Sequence, residues 1–165
     1  MAEPPPGKHP AFIVRTHDPL NGGPPPDLID CADQTPTDLF FVRNHGSIPA
    51  IDPAGYRLEV DGMVGRALSL SLRDLQTRFA PVTVAATLAC AGNRRDELLA
   101  VAPIPGEVAW GAEAISNASW TGAPLAEVLR AAGVRPGAAH VAFGGLDEVE
   151  RQGRRFGFGG SIALE

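Results

Sequence analysis

The 165-residue chain is predicted to adopt an α+β (mixed α/β) fold. Short segments with strand signatures alternate along it with short segments whose apolar residues recur at helical spacing, and the helical ones carry start and stop signals. No internal repeat interrupts this pattern, and the prolines are its sole low-complexity feature. A 44% hydrophobic and 20% charged composition is globular and argues against wholesale disorder.

Ten of the sixteen prolines fall within the first 49 residues. Pro4-Pro5-Pro6 and Pro24-Pro25-Pro26 remove backbone donors and fix φ, which excludes regular helix and central strand there. Residues 1–38 are therefore read as a Pro-rich extended arm. Either it is a solvent-exposed linker, or, since Phe12, Ile13, Val14, Leu28 and Ile29 interrupt the prolines, it lies along a folded body formed by residues 39–165. Tyr56-Arg-Leu-Glu-Val60 alternates apolar and polar as a half-buried strand does, and Asp61-Gly62 follows as a turn signal. Ser71-Leu-Arg-Asp74 matches a capping box opening a helix to about Arg78, with Leu72, Leu75 and Phe79 on one face. Val82–Ala89 is short and rich in β-branched residues, the signature of a buried strand. Pro124–Ala132 predicts a helix: Pro stands early, Leu125, Val128, Leu129 and Ala132 share a face, and Gly133 occupies the C′ position. His140–Phe143 is a predicted strand leading into Gly144-Gly-Leu-Asp147. The last residues, Gly157 to Glu165, run toward a further element, so the chain is expected to be a piece of a longer protein.

The net charge of −5 argues against broad capture of nucleic acid, which needs clustered cations. The most apolar run, Val82 to Ala91, is about half the length of a bilayer span. The N-terminus has no basic region followed by an apolar one, so the expected location is cytoplasmic, or periplasmic if the N-terminus is processed or incomplete. Cys31 and Cys90 are too few for a disulfide scaffold, and with four scattered His they offer no zinc spacing. No dinucleotide, Walker or nucleophile-elbow motif occurs.

Two segments carry chemistry. Cys90 closes the apolar run and is followed by Ala-Gly-Asn-Arg-Arg; nearby guanidiniums favour thiolate, the form that binds soft metals, while an inert buried thiol is the plainer alternative. Gly92 permits a sharp turn or a close backbone approach. Phe40-Phe-Val-Arg-Asn-His45 places three hydrogen-bonding side chains, Arg43, Asn44 and His45, directly after two apolar anchors. Arg151, Arg154 and Arg155 form a basic run expected in a solvated loop.

Together, FFVRNH (40–45), CAGNRR (90–95), Trp110 with Glu113-Ala-Ile-Ser116, Trp120-Thr-Gly122 and Gly144-Gly-Leu-Asp147 resemble, in order and spacing, the molybdopterin-binding domain of the sulfite oxidase family. The resemblance runs from about residue 39 to the end. It implies a sulfite-oxidase-like molybdopterin-binding fold, here incomplete, with Mo-molybdopterin as cofactor. It implies Cys90 as the protein ligand of the metal, Arg43 and Arg95 at the oxyanion substrate, and Trp110 lining the substrate pocket. Phe41, Val42, Arg43, Asn44, His45 and Asp147 would contact the pterin. The implied activity is oxidation of sulfite to sulfate by oxygen-atom transfer at a Cys-ligated Mo centre. Its electrons pass to a separate acceptor such as a cytochrome or oxygen, with no nucleic-acid or membrane partner and a homodimer in the full-length form as an open option. A nitrate-reductase-like oxotransferase of the same superfamily is the alternative, and a non-catalytic remnant acting only as an interaction module is another. The family's further pterin contacts, active-site tyrosine, last substrate arginine and immunoglobulin-like dimerisation domain have no counterpart in these residues.

Overall fold

The computed structural model describes residues 4–29 and 32–164; Cys31 lies outside the described residues. In chain order the elements are β1 (Ile13–His17), β2 (Leu20–Gly23), α1 (Pro26–Ile29), β3 (Leu58–Val60), β4 (Leu68–Leu70), α2 (Leu72–Arg78), β5 (Val82–Ala89), α3 (Arg95–Leu99), β6 (Ile115–Gly122), α4 (Leu125–Ala132), β7 (His140–Arg151) and β8 (Arg154–Ala163). The strands pair as β1-β2, β3-β4, β5-β6 and β7-β8.

Where signals were local, the elements lie where the sequence puts them. Ser71 caps α2: its hydroxyl accepts from Asp74 N at 3.0 Å, while the Asp74 carboxylate accepts from Ser71 N at 3.0 Å. Both bonds remove orphan donors at the helix start. The Ser71 hydroxyl, donating to Asp74 Oδ2 at 2.6 Å, and then the Ser71 N–H hold the Asp74 carboxyl below its ordinary pKa. Pro124 precedes α4 and Gly133 ends it in the left-handed conformation at φ 70°. Strand β3 is shorter than the predicted Tyr56–Val60. The Asp52 side chain accepts from Ala54 N and Gly55 N, and Tyr56 N donates to Asp52 O, so a turn at 53–55 closes on Tyr56 and the strand begins only at Leu58.

The stretch from which helix was excluded holds α1, which opens on Pro26 because a first-turn residue needs no N–H, and residues 1–38 also fold a β1-β2 hairpin rather than an extended arm. Two further expectations fail for reasons beyond local pattern. β5 has the predicted bounds, but all of it except Ala86 is exposed rather than buried, because it pairs in a two-stranded sheet that leaves its faces open. β7 does not stop at Phe143; it runs through Gly144–Asp147 to Arg151. Pairing with β8 through a two-residue turn, Gln152-Gly153, overrides the weak strand propensity of the glycines. Both turn residues have positive φ.

The chain forms two compact units. One comprises Pro49–Val84, Trp120–Leu146 and Gly157–Glu165. Its core joins Val64, Leu68, Leu70, Phe79, Val128 and Ala132. A cavity of about 1080 Å³ lies in this unit, lined by residues such as Val60, Leu75, Val128 and Val141, and none of the candidate site residues borders it.

The other unit comprises Met1–Ile48, Ala85–Ser119 and Asp147–Phe156 and holds every candidate site residue. Its buried apolar residues, Phe12, Leu39, Trp110, Ala114 and Val149, are joined by three buried polar ones, Asn21, Glu113 and Ser116. Burying polar groups costs free energy unless each is hydrogen-bonded, and each is. Asn21 bonds within the β1-β2 hairpin and to Arg43 and Asn44. Glu113 accepts from Arg15, and Ser116 Oγ accepts from Phe41 N. The Asn21 and Glu113 bonds tie residues 15–21 to Arg43, Asn44 and Glu113. Lys8 adds another tie, donating from Nζ to Thr37 O and Phe40 O at 2.8 Å each while lying over the Phe12 ring.

Candidate functional site

Cys90 follows β5 directly. Its N–H donates to Ala114 O at 2.9 Å, and Asn93 and Ala114 reciprocate through Ala114 N to Asn93 Oδ1, also 2.9 Å. The half-buried Cys90 sulfur accepts from Gly92 N at 3.4 Å. The next bonds stitch the loop to the stretch ahead of β6: Arg94 N donates to Gly111 O at 2.7 Å and Asp96 N to Trp110 O at 2.9 Å. The sharp turn falls on Arg94, with φ at 62°, rather than on Gly92.

That turn separates the two arginines that the sequence places together. Arg94 points outward and pairs with Glu97 at 2.6 Å, which raises its pKa. Arg95 turns inward. Its guanidinium packs directly across the Cα of Gly92, where any Cβ would overlap it. Arg95 Nη1 then donates to Val108 O at 2.8 Å and faces the Glu107 carboxylate at 3.4 Å. The close approach that Gly92 permits is thus the approach of a guanidinium. Trp110 is fully buried at 0% exposure, and its indole Nε1 has no hydrogen-bond partner among the described residues.

The second segment is held by the arm and by β6. Phe40 and Phe41 stack with ring centroids 5.7 Å apart. Phe41 N donates to Ser116 Oγ at 3.1 Å, two residues beyond the Ala114 that binds Cys90. Two residues of extended chain span about 7 Å, so both segments anchor on one short stretch. Val42 and Gly22 exchange backbone hydrogen bonds at 2.8 and 3.0 Å. Arg43 Nη1 donates to Asn21 Oδ1 at 3.3 Å and to Asn44 O, while its buried Nε has no partner among the described residues. Asn44 N donates to Asn21 Oδ1 at 2.8 Å, and Asn44 Nδ2 to Leu20 O at 2.7 Å.

Five charged or titratable side chains share an electrostatic neighbourhood around His45. Desolvation lowers the His45 pKa below its ordinary value, and Arg43 and Arg151 lower it further, against the opposing carboxylates Glu107 and Asp147. Asp147, half-buried in β7, joins the group through this field. Glu107 links it to Arg95 and forms an ion pair with Arg151. The structure therefore brings Arg43, His45, Arg95 and Asp147 into one charged cluster and anchors Cys90 and Phe41 on the same 114–116 stretch.

Sequence reasoning missed the roles of five participants. Arg151 was expected in a solvated loop but pairs with Glu107, whereas Arg155 of the same run pairs with Glu150. Asn21 and Arg15 lay in the arm, to which no role was given, and Glu113 and Glu107 had no partner visible in the local sequence. A usable signal existed only for Asn21, as the polar residue of Pro19-Leu-Asn-Gly between two apolar runs.

Residues 45–165 match the model of the oxidoreductase molybdopterin-binding domain, and the chain belongs to that family. It is 48% identical over 145 residues to a protein of Gallus gallus named sulfite oxidase, covering 86% of this chain and 31% of that one. It is 37% identical over 155 residues to the sulfite oxidase of Arabidopsis thaliana, covering 89% and 39%. It is also 39% identical over 146 residues to a nitrate reductase [NAD(P)H] of Hordeum vulgare, covering 86% and 16%. The chain thus spans about a third of the length of the first of these relatives. The sulfane dehydrogenase SoxCD from Paracoccus pantotrophus has the same fold, with a TM-score of 0.66 at 24% identity over 92% of this chain and 36% of that one.

Membership in the family implies Mo-molybdopterin as the cofactor. The residues present suit such a group. Cys90 offers a soft sulfur on a half-buried side chain, and the same compact unit holds Arg43 Nε, a buried N–H with no partner among the described residues.

Proposed function

We propose that the chain is part of a molybdenum-cofactor oxidoreductase of the α+β class that oxidises sulfite to sulfate, with residues 1–38 as an arm and residues 39–165 as the N-terminal part of its cofactor domain. The observation that carries this reading is the convergence of Cys90, Arg95 and the Arg43 segment on residues 107–116, in a chain 48% identical to a sulfite oxidase.

In this reading Cys90 holds the metal, and Phe41, Val42, Asn44, His45 and Asp147 hold the pterin. When bound, the cofactor supplies oxygen-atom transfer and takes up two electrons. The overall change is sulfite plus water to sulfate, two protons and two electrons, which leave to a separate acceptor. Arg43 and Arg95 draw the sulfite dianion onto a chain of net negative charge, since a guanidinium presents paired donors to oxyanion oxygens. Trp110, fully buried, backs the loop bonds at its own carbonyl and walls water from the interior beneath the site. His45, its pKa lowered, stays neutral at neutral pH and donates or accepts one hydrogen bond without adding a cation.

The test is metal content together with turnover. Chain produced in a molybdenum-replete host carries molybdenum and pterin in equal amounts and reduces an electron acceptor when sulfite is added. Cys90→Ser loses the molybdenum and the activity. Sulfite turnover by Cys90→Ser at the wild-type rate sinks the assignment. The similarity to a nitrate reductase favours one second reading, reduction of nitrate to nitrite by two electrons and two protons. Turnover with a reduced dye and nitrate, and none with sulfite, selects it.

A further inference from the structure

Asn21 sits on β2 in the arm at 1% exposure, and its carboxamide uses every bond it can make. Nδ2 donates to Thr16 Oγ1 at 2.8 Å and to Pro19 O at 3.0 Å. Oδ1 accepts from Asn44 N at 2.8 Å and Arg43 Nη1 at 3.3 Å. A carboxamide has two N–H donors and two acceptor lone pairs, so the group is saturated and its orientation is fixed. Flipped, it would turn its N–H groups on two donors.

The partners of Arg43 are neutral. Arg95 faces Glu107, Arg151 pairs with Glu107 and Arg94 with Glu97, but Arg43 donates to an amide oxygen and a backbone carbonyl. Among the described residues no carboxylate lies within ion-pair distance of it. A carboxylate at position 21 would hold the guanidinium while cancelling its charge and would set an oxygen against Pro19 O, whereas an amide holds it, satisfies Pro19 O and leaves the charge available.

We propose that Asn21 is a positioning residue of the candidate site: it fixes the Arg43 guanidinium and the Asn44 backbone through a neutral acceptor, so that Arg43 meets an incoming oxyanion as an uncompensated cation. The proposal rests on the reading of Arg43 as an oxyanion contact. It goes beyond that reading by giving the arm a role at the site, with Asn21 acting through Arg43.

The test uses the 165-residue chain and inorganic sulfate as the probe, with affinity measured by calorimetry and the His45 titration followed by nuclear magnetic resonance. Asn21→Asp, nearly the same shape, weakens sulfate binding roughly tenfold or more, as expected for one lost charge–charge contact. It also raises the His45 pKa, because the Arg43 charge that lowers it is now cancelled. Asn21→Ala weakens sulfate binding several-fold and leaves the His45 midpoint near its wild-type position, since the cation is freed but not neutralised. Wild-type affinity in either folded variant overturns the proposal. Should neither variant fold, the wild-type chain decides. Adding sulfate must shift the Arg43 Nε–H and Asn21 Nδ2 resonances together, and an unmoved Asn21 signal overturns it. Failure of the wild-type chain to bind sulfate at all would instead strike the oxyanion reading of Arg43.

Discussion

Replacing Arg15 by Ala tests what holds the arm to the body. Glu113 has 1% side-chain exposure, and its Oε1 accepts from Arg15 Nε at 2.5 Å and from Gly111 N at 3.3 Å. Without Arg15, an ionised carboxylate remains buried with one long backbone donor. Removing one partner of a buried pair in this way costs about 3–5 kcal/mol. The reverse change is milder. Glu113→Gln keeps the shape, and Arg15, at 31% side-chain exposure, regains water. Its cost is about 1.5–3 kcal/mol, the worth of a hydrogen bond to a charged group. In a chain of this size each kcal/mol moves the melting temperature by about 2–4 °C, so Arg15→Ala lowers it by about 6–20 °C. The double variant Arg15→Met/Glu113→Leu recovers part of the loss because no orphan charge is left. Urea unfolding followed by circular dichroism, with a second probe to confirm one transition, gives all three values. A loss under about 1 kcal/mol for Arg15→Ala, or a larger loss for Glu113→Gln than for Arg15→Ala, refutes the reasoning.

Two glycines separate function from stability. Gly92→Ala meets the far end of the flexible Arg95 side chain, so it costs about 1 kcal/mol, the low end of overpacking. It nonetheless pushes Arg95 off Glu107, visible as a shifted Arg95 Nε–H signal and lost turnover. Gly46→Ala drives its Cβ into the backbone carbonyl of Glu148, which cannot rotate away, and costs about 3 kcal/mol in denaturant titration. For His45 the sign follows from its lowered folded pKa. The unfolded chain binds the proton more readily, so the neutral imidazole contributes stability that is fully present above the unfolded pKa of about 6.5 and is lost as pH falls through the folded one. Wild type therefore loses more stability than His45→Gln between pH 7.5 and pH 5, and the opposite slope would contradict the burial of this group.

Legibility from sequence followed the range of the interaction. The α2 cap and the α4 boundaries rest on contacts within four residues, and the bounds of β5 on its run of β-branched residues, and each lies where the pattern puts it. The exposure of β5 and the continuation of β7 depend on what a strand pairs with and what covers it, which no local period encodes. The candidate site divides the same way. Cys90, Arg43 and His45 stood in two compact motifs. Glu113 and its partner Arg15 are 98 positions apart, and Asn21 precedes Arg43 by 22, so neither pairing has a sequence signature. Within CAGNRR the local pattern alone does not tell which arginine turns inward; only the family resemblance singled out Arg95. That choice is made by a single left-handed backbone conformation at Arg94.

Within the unit that holds the arginines, the placement of the carboxylates lets an acidic chain carry a local surplus of positive charge. Net charge, −5 here, describes long-range attraction, which salt screens over about 8–10 Å. A bound oxyanion instead responds to the few charges within contact. Arg15 is neutralised by Glu113, Arg94 by Glu97, and Arg95 and Arg151 share one carboxylate, Glu107. Two guanidiniums on one carboxylate leave a surplus of positive charge on that side, and Arg43, held by amide and carbonyl oxygens, adds its whole charge. His45 registers that field from within, since Arg43 is the largest of the charges acting on its pKa. With Glu107 and Asp147 set against Arg43, Arg95 and Arg151, the cluster holds one positive charge in surplus, and exchanging the neutral acceptor at position 21 for an acid cancels it.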